Sequence, residues 1–189
     1  MALEAAPLTV TRLLADGRSL VVRRAEPDDA EEMLAATREV LEEGEFVVTA
    51  PDELRSPDAQ REHVAKAASD PGGLVLVALI DGRIVGSLAF HSGEKRRMAH
   101  SGTFGLSVVK ESRDRGVGRA LIEALLAWAR ASPQIEKVCL AVYPDNVRGL
   151  ALYRKLGFVE EGRLVRDVKF GPGRYKDSIL MYQLVKPRD

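Results

Sequence analysis

Val108-Val109-Lys110-Glu111-Ser112-Arg113-Asp114-Arg115-Gly116-Val117-Gly118-Arg119-Ala120 is a stretch in which one kind of periodicity gives way to another. Before it, 103–110 reads as a strand. After it, Leu121, Leu125 and Trp128 fall on one stripe of a helix over 118–130. The turn between them carries Arg113-x-x-Gly116-x-Gly118. A strand that turns sharply into a helix aims the helix's unpaired N–H groups and positive dipole end at one place. Glycines there let a pyrophosphate approach the backbone, and Arg113, Arg115 and Arg119 add positive charge. The same residues also describe a tight turn with solvated arginines. The stretch is not a Walker loop, because no Gly-Lys-Ser/Thr follows. It is not the dinucleotide fingerprint, because Leu121 stands where the third glycine would be.

Some thirty residues on, Asn146-x-x-Gly149-x-x-Leu152-Tyr153-x-x-x-Gly157-Phe158 forms a second constellation. Seven helical residues advance about 700°, so Asn146 and Tyr153 share a face about 10 Å apart along the axis. Gly149 lies between them. Asn146 reads either as a helix N-cap or as a polar group at the mouth of a site. Tyr153 reads either as a half-buried aromatic or as a working phenol.

Outward from these two segments the spacing predicts strands over 9–13 and 19–24. A helix follows from an N-cap at Asp28, with Glu31 completing a capping box, to Gly44. A second helix opens at Ser56-Pro57 and runs to Ser69. Leu74 to Ile80 is almost wholly apolar, as in a strand covered on both faces, and Asp81-Gly82 turns it back into 83–91. A basic loop over 92–101 leads to the strand at 103–110. Past the helix at 118–130 come a strand over 137–142, a helix over 146–156 and an antiparallel pair, 158–170 with 175–184. The expected fold class is α/β: a mixed, mostly antiparallel central sheet flanked by helices, with a parallel strand pair at the strand-helix-strand step.

The 189 residues suit one domain. Lys and Arg number 28 and Asp and Glu 28, so the formal net charge is zero. That balance argues against nucleic acid or an anionic membrane as the main partner. The single cysteine, Cys139, sits in an apolar run and reads as a small hydrophobe; one cysteine makes no internal disulfide. The three histidines show no metal-ligand spacing. No stretch is long and apolar enough to span a membrane, and the N-terminus lacks the pattern of a secretory signal. The expectation is a metal-free cytoplasmic protein.

Taken together, the two constellations resemble motifs A and B of the GCN5-related N-acetyltransferase (GNAT) superfamily, with Gly149 in place of the usual Ala and Asp114 in place of a frequent Gly. The resemblance covers 19–186 as a single GNAT domain and leaves 1–18 as an extension of unassigned role. It implies acetyl-CoA as acyl donor, with the parallel pair at the CoA cleft. It implies the pyrophosphate on the loop Arg113, Arg115, Gly116, Val117, Gly118, Arg119 and Ala120, and pantetheine on the backbone of Leu106, Val108 and Val109. Asn146 and Tyr153 complete the cofactor site, and Tyr153 is the catalytic general acid. The acceptor is expected to be a small-molecule primary amine such as an amino acid, and the family's frequent dimers imply a homodimer.

An amine of lysine type, with a pKa of about 10.4, stands roughly 4.6 kcal/mol from its reactive neutral form at pH 7; an α-amine near 7.8 stands only about 1 kcal/mol away. A base is therefore useful in proportion to acceptor basicity. Glu45, His91, His100 and Asp177 are candidates for it. A protein or peptide acetyltransferase and a non-catalytic CoA-binding sensor are the alternatives.

Overall fold

The computed structural model describes residues 8–44 and 46–186. Eight strands form one sheet in the order β1-β2-β3-β4-β5-β6-β8-β7. They are β1 Val10–Leu13, β2 Ser19–Arg24, β3 Gly73–Ile80, β4 Arg83–Ser92, β5 Ser101–Val108, β6 Lys137–Val142, β7 Val159–Gly171 and β8 Arg174–Leu184. Every neighbouring pair is antiparallel except β5 and β6, which are parallel. The helices are α1 Ala30–Glu43, α2 Pro57–Ser69, α3 Val117–Ala131 and α4 Val147–Lys155.

Strand β3 is buried along nearly its whole length, because α1 and α2 cover one face of the sheet and α3 the other. α3 carries the broadest apolar stripe, with Leu121, Leu125 and Ala129 fully buried. Val10–Leu13, within the segment set apart as an extension, pairs with β2 as the edge strand.

The start of α1 departs from the expected capping box at Asp28 and Glu31. A 3-10 turn, Pro27–Asp29, precedes the helix. Its cap is Asp29, whose carboxylate accepts from the Glu26 N–H at 2.7 Å and from both Arg23 amino nitrogens at 2.6 and 2.8 Å. That carboxylate makes no hydrogen bond to the first turn of α1; it closes the turn ahead of the helix and holds Arg23 of β2.

The feature that builds the site is the short run of parallel pairing. β5 and β6 are joined only at Ser101↔Lys137, Gly102↔Val138 and Thr103↔Cys139. Beyond Thr103 the two strands part, while β5 stays fully paired with β4 as far as Gly86↔Val108. The root of this fork is packed tightly. A Cβ on Gly102 would lie 2.3 Å from Phe90 Cζ and 2.4 Å from the His91 carbonyl oxygen. Phe90 is buried and held edge-on against Trp128 at 5.4 Å, so it cannot yield. Gly102→Ala is expected to cost about 1–3 kcal/mol, read as a lower midpoint in urea unfolding followed by circular dichroism.

Candidate active site

A cleft of about 590 Å³ opens where β5 and β6 diverge, and a smaller chamber of about 140 Å³ adjoins it toward the start of α3. Both are lined by Phe46, Val47, Leu106, Ser107 and Asn146, so they form one groove. Its floor is made of small side chains on one face of the sheet, Ser87, Ala89, Gly105 and Ser107. Thr37, Gln60 and His63 of α1 and α2 form one wall, and Tyr143, Asn146 and Tyr153 the other.

The open edge of β5 lies along this groove. The Val109 N–H donates to the Val85 carbonyl at 3.0 Å. In an antiparallel ladder such pairs alternate, so Val109, Ser107 and Gly105 bond toward β4. Val108, Leu106 and Phe104 turn their backbone groups to the edge that β6 has left. Val109 is thus a correction to the expected backbone contacts: its N–H is taken by β4, and its carbonyl accepts from Ser112 N–H at 3.0 Å.

At the start of α3, Gly116 adopts φ 87°, ψ 2°, a left-handed turn that a side chain disfavours. Asp114 is left-handed too, at φ 60°, which explains why a glycine suits that place; its exposed carboxylate pairs with Arg148 at 2.9 Å. Val117 and Ala120 are buried, so their side chains serve the core. The Ala120 N–H donates to the Gly116 carbonyl at 2.9 Å and is unavailable, which removes Ala120 from the expected anion contacts. The N–H groups of Val117, Gly118 and Arg119 belong to the first helical turn, which has no intrahelical acceptor for them. Gly118 allows close packing: a Cβ there would stand 3.4 Å from Leu152 Cδ2 and 3.6 Å from Leu106 Cδ2.

The arginines differ in what they can offer. Arg113 grips both Glu43 carboxylate oxygens at 2.7 and 2.5 Å, and its Nε donates to the Val108 carbonyl at 3.0 Å. Partly buried, it ties the end of α1 to the end of β5. Arg115 pairs with Asp16 at 2.5 Å and Arg119 with Glu123 at 2.8 Å, both on the surface. Such exposed pairs are worth about 0–1 kcal/mol, so these two guanidiniums can exchange a carboxylate for a phosphate at little cost.

On α4, Asn146 is the N-cap: its Oδ1 accepts from the Gly149 N–H at 2.9 Å. A Cβ on Gly149 would come within 2.9 Å of that amide. The space over Gly149 therefore belongs to the Asn146 side chain, not to a ligand. Tyr153 lies two turns on with its ring edge-on to Phe104 and to Phe158, each at 6.1 Å.

The model for the Acetyltransferase (GNAT) family matches residues 34–158, two thirds of the chain. The L-amino acid N-acetyltransferase AaaT of Escherichia coli is 31% identical over 116 residues, 61% of this chain and 71% of that protein. A GNAT-family acetyltransferase from Streptococcus pneumoniae superposes with a TM-score of 0.83 at 31% identity, over 87% of this chain and 99% of that one. A GNAT phosphinothricin acetyltransferase from Sinorhizobium meliloti, solved in complex with AcCoA, shares the fold at 21% identity and a TM-score of 0.76, covering 87% and 88%.

The chain belongs to the GNAT family.

It is an acyl-CoA-dependent N-acetyltransferase by type. Within this GNAT domain, burial pushes the Tyr153 phenol up to about 12. The phenol stays protonated at any working pH. Full transfer of its proton to a free thiolate of pKa about 8.5 would be uphill by roughly 5 kcal/mol. An ordinary solvated tyrosine, near 10, is the stronger acid. The desolvation that weakens the phenol also raises the thiol of any sulfur beside it, so the two remain closer than their values in water imply.

Of the base candidates, His91 and His100 are exposed and do not line the cleft among the described residues. Asp177 is held below the usual carboxylate range by the Arg166 N–H and the Arg163 side chain, at 2.7 and 2.8 Å, away from the cleft. Glu45 lies outside the described residues. Sequence reasoning missed His63 and Arg55, which do line the cleft. The available signal was the inner face of α2: Gln60, Val64 and Ala67 are buried there, and His63 is one turn from Gln60.

Proposed function

We propose that this enzyme transfers an acetyl group from acetyl-CoA to the primary amine of a small molecule carrying a carboxylate, an amino acid being the simplest such acceptor. The observation that carries the reading is the fork between β5 and β6. It opens a groove that runs from Arg113, just ahead of α3, to Tyr153 along the edge of β5 that β6 leaves. The N–H groups of Val117, Gly118 and Arg119 would take the diphosphate, with Arg115 and Arg119 free to swing in. Leu106 and Val108 would hydrogen-bond the pantetheine as a further strand does. The Leu106 N–H, on the part of β5 that lines the same chamber as Tyr153, would polarise the thioester carbonyl, and the Tyr153 hydroxyl would donate to the departing sulfur. The amine attacks directly, with no covalent enzyme intermediate.

Arg55 supports the acceptor class. It lines the wide end of the cleft and makes no ion pair with any described residue, so its guanidinium suits a carboxylate. The similarity to an enzyme named for L-amino acids agrees with this.

The test is thiol release from acetyl-CoA, screened across L-amino acids, polyamines, aminoglycosides and peptides. Turnover is expected with an amino acid. CoA binding without any acceptor, or turnover with peptides alone, would refute the acceptor class. Arg55→Gln is expected to raise KM for the amino acid about 10–100-fold, the loss of one charge-assisted contact, with kcat within a factor of about three. Steady-state kinetics on the two proteins measure both.

A further inference from the structure

We propose that His63 is the general base that takes a proton from the acceptor's ammonium group; the assignment rests on the acetyl transfer proposed above. Of the chain's three histidines, it is the one whose side chain lines the described cleft. It projects from α2 into the wall of the wide chamber, the same chamber that Tyr153 lines from α4. A base in this chamber must be unprotonated when the acceptor arrives and must reach it without crossing the sheet.

The surroundings of His63 favour the neutral imidazole. The ring is half-buried, and burial pushes its pKa down; Arg55 ahead of α2, His91 on β4 and Lys66 one turn on along α2 push the same way. The α1 residues that face it across the cleft, Met33, Leu34 and Thr37, do not titrate. The one lining acid at this end, Glu53, directs a carboxylate oxygen to the Ala50 N–H at 2.8 Å. A neutral imidazole between two cationic side chains accepts a proton and gives it up readily to water. Arg55 beside it would hold the acceptor's carboxylate and so turn the amine toward the ring.

The step balances as follows. One ammonium proton passes to a ring nitrogen of His63 and on to water. The freed lone pair forms the N–C bond at the thioester carbonyl. The C–S bond breaks with its electron pair on sulfur, which takes the Tyr153 proton, and the second N–H proton leaves nitrogen to restore the phenol. Ammonium and thioester become amide, thiol and one released proton.

His63→Gln in the full chain is expected to lower kcat/KM about 100-fold at pH 7 for the best amino acid of the screen. The acetyl-CoA Kd and the thermal midpoint should be little changed. Hydroxylamine, already neutral at pH 7, should lose far less. In the wild type kcat/KM should rise with pH through an acid limb below the ordinary imidazole value, and this limb should vanish in His63→Gln. A ¹³C-edited titration of the wild-type His63 ring, needing no acceptor, should find the same low value. A ring that titrates at or above about 6.5, or a variant whose pH profile superimposes on the wild type, overturns the assignment. Should His63→Gln fold poorly, His63→Asn is read the same way. Wild-type protein that binds no acetyl-CoA would instead sink the underlying acetyl-transfer reading.

Discussion

Tyr153→Phe is expected to lower kcat by about 100–1,000-fold while leaving the acetyl-CoA Kd within about threefold. The substitution keeps the edge-on contacts with Phe104 and Phe158, which involve the ring alone, so the fold and the groove persist. On the mechanism proposed above, what is lost is the hydroxyl that would donate to sulfur as charge builds there. That charge is worst in a buried site, where water cannot take it up. Because burial holds the phenol at about 12, its acid form is present throughout the neutral and alkaline range. The wild-type kcat should therefore show no loss assignable to Tyr153 below about pH 11. Single-turnover acetyl transfer with calorimetric binding separates the two quantities. Equal turnover by the two proteins would remove Tyr153 from the chemistry.

Gly116→Val is expected to leave a folded protein that binds acetyl-CoA about 100-fold more weakly. Gly116 stands at φ 87° at the entrance to α3, and a Cβ built there meets no atom within 4 Å. In the free protein the variant therefore suffers backbone strain, about 1–2 kcal/mol, and no clash. Its isopropyl group occupies the open space at the helix start, where close approach to the amides is needed. Gly116→Ala should fall between. Thermal melts report the strain, and titration calorimetry reports the affinity. Undiminished affinity in a Val variant with the expected small loss of stability would place the diphosphate elsewhere.

The sequence carried the architecture wherever a periodicity met a glycine. The strand-turn-helix at 108–120 and the helix at 146–156 are marked by Gly116, Gly118 and Gly157, and their apolar spacing fixes which faces are buried. The parallel pair between β5 and β6 follows from that connectivity. What was not legible depends on partners distant along the chain. Arg113 looks like a phosphate ligand beside the glycines, yet Glu43, seventy residues away, holds it as a brace. Asp29, not Asp28, stands at the N-cap position of α1, and Arg23 of β2 and the Glu26 N–H take its carboxylate. Ala120 and Val109 were named for the anion loop and the pantetheine edge, but helix and ladder hydrogen bonds consume their N–H groups. His63 was hidden because α2 is only weakly amphipathic and its buried face carries Gln60. Polar residues on such a helix look solvated until the sheet is laid beneath them.

The central claim is that one CoA molecule spans the fork between β5 and β6. A crystal structure of the protein soaked with CoA tests it most directly. The account predicts the diphosphate on the N–H groups of Val117, Gly118 and Arg119, pantetheine along Leu106 and Val108, and the sulfur within hydrogen-bonding distance of the Tyr153 hydroxyl. CoA seated outside this groove, or lying in it with its sulfur remote from Tyr153, would contradict the account.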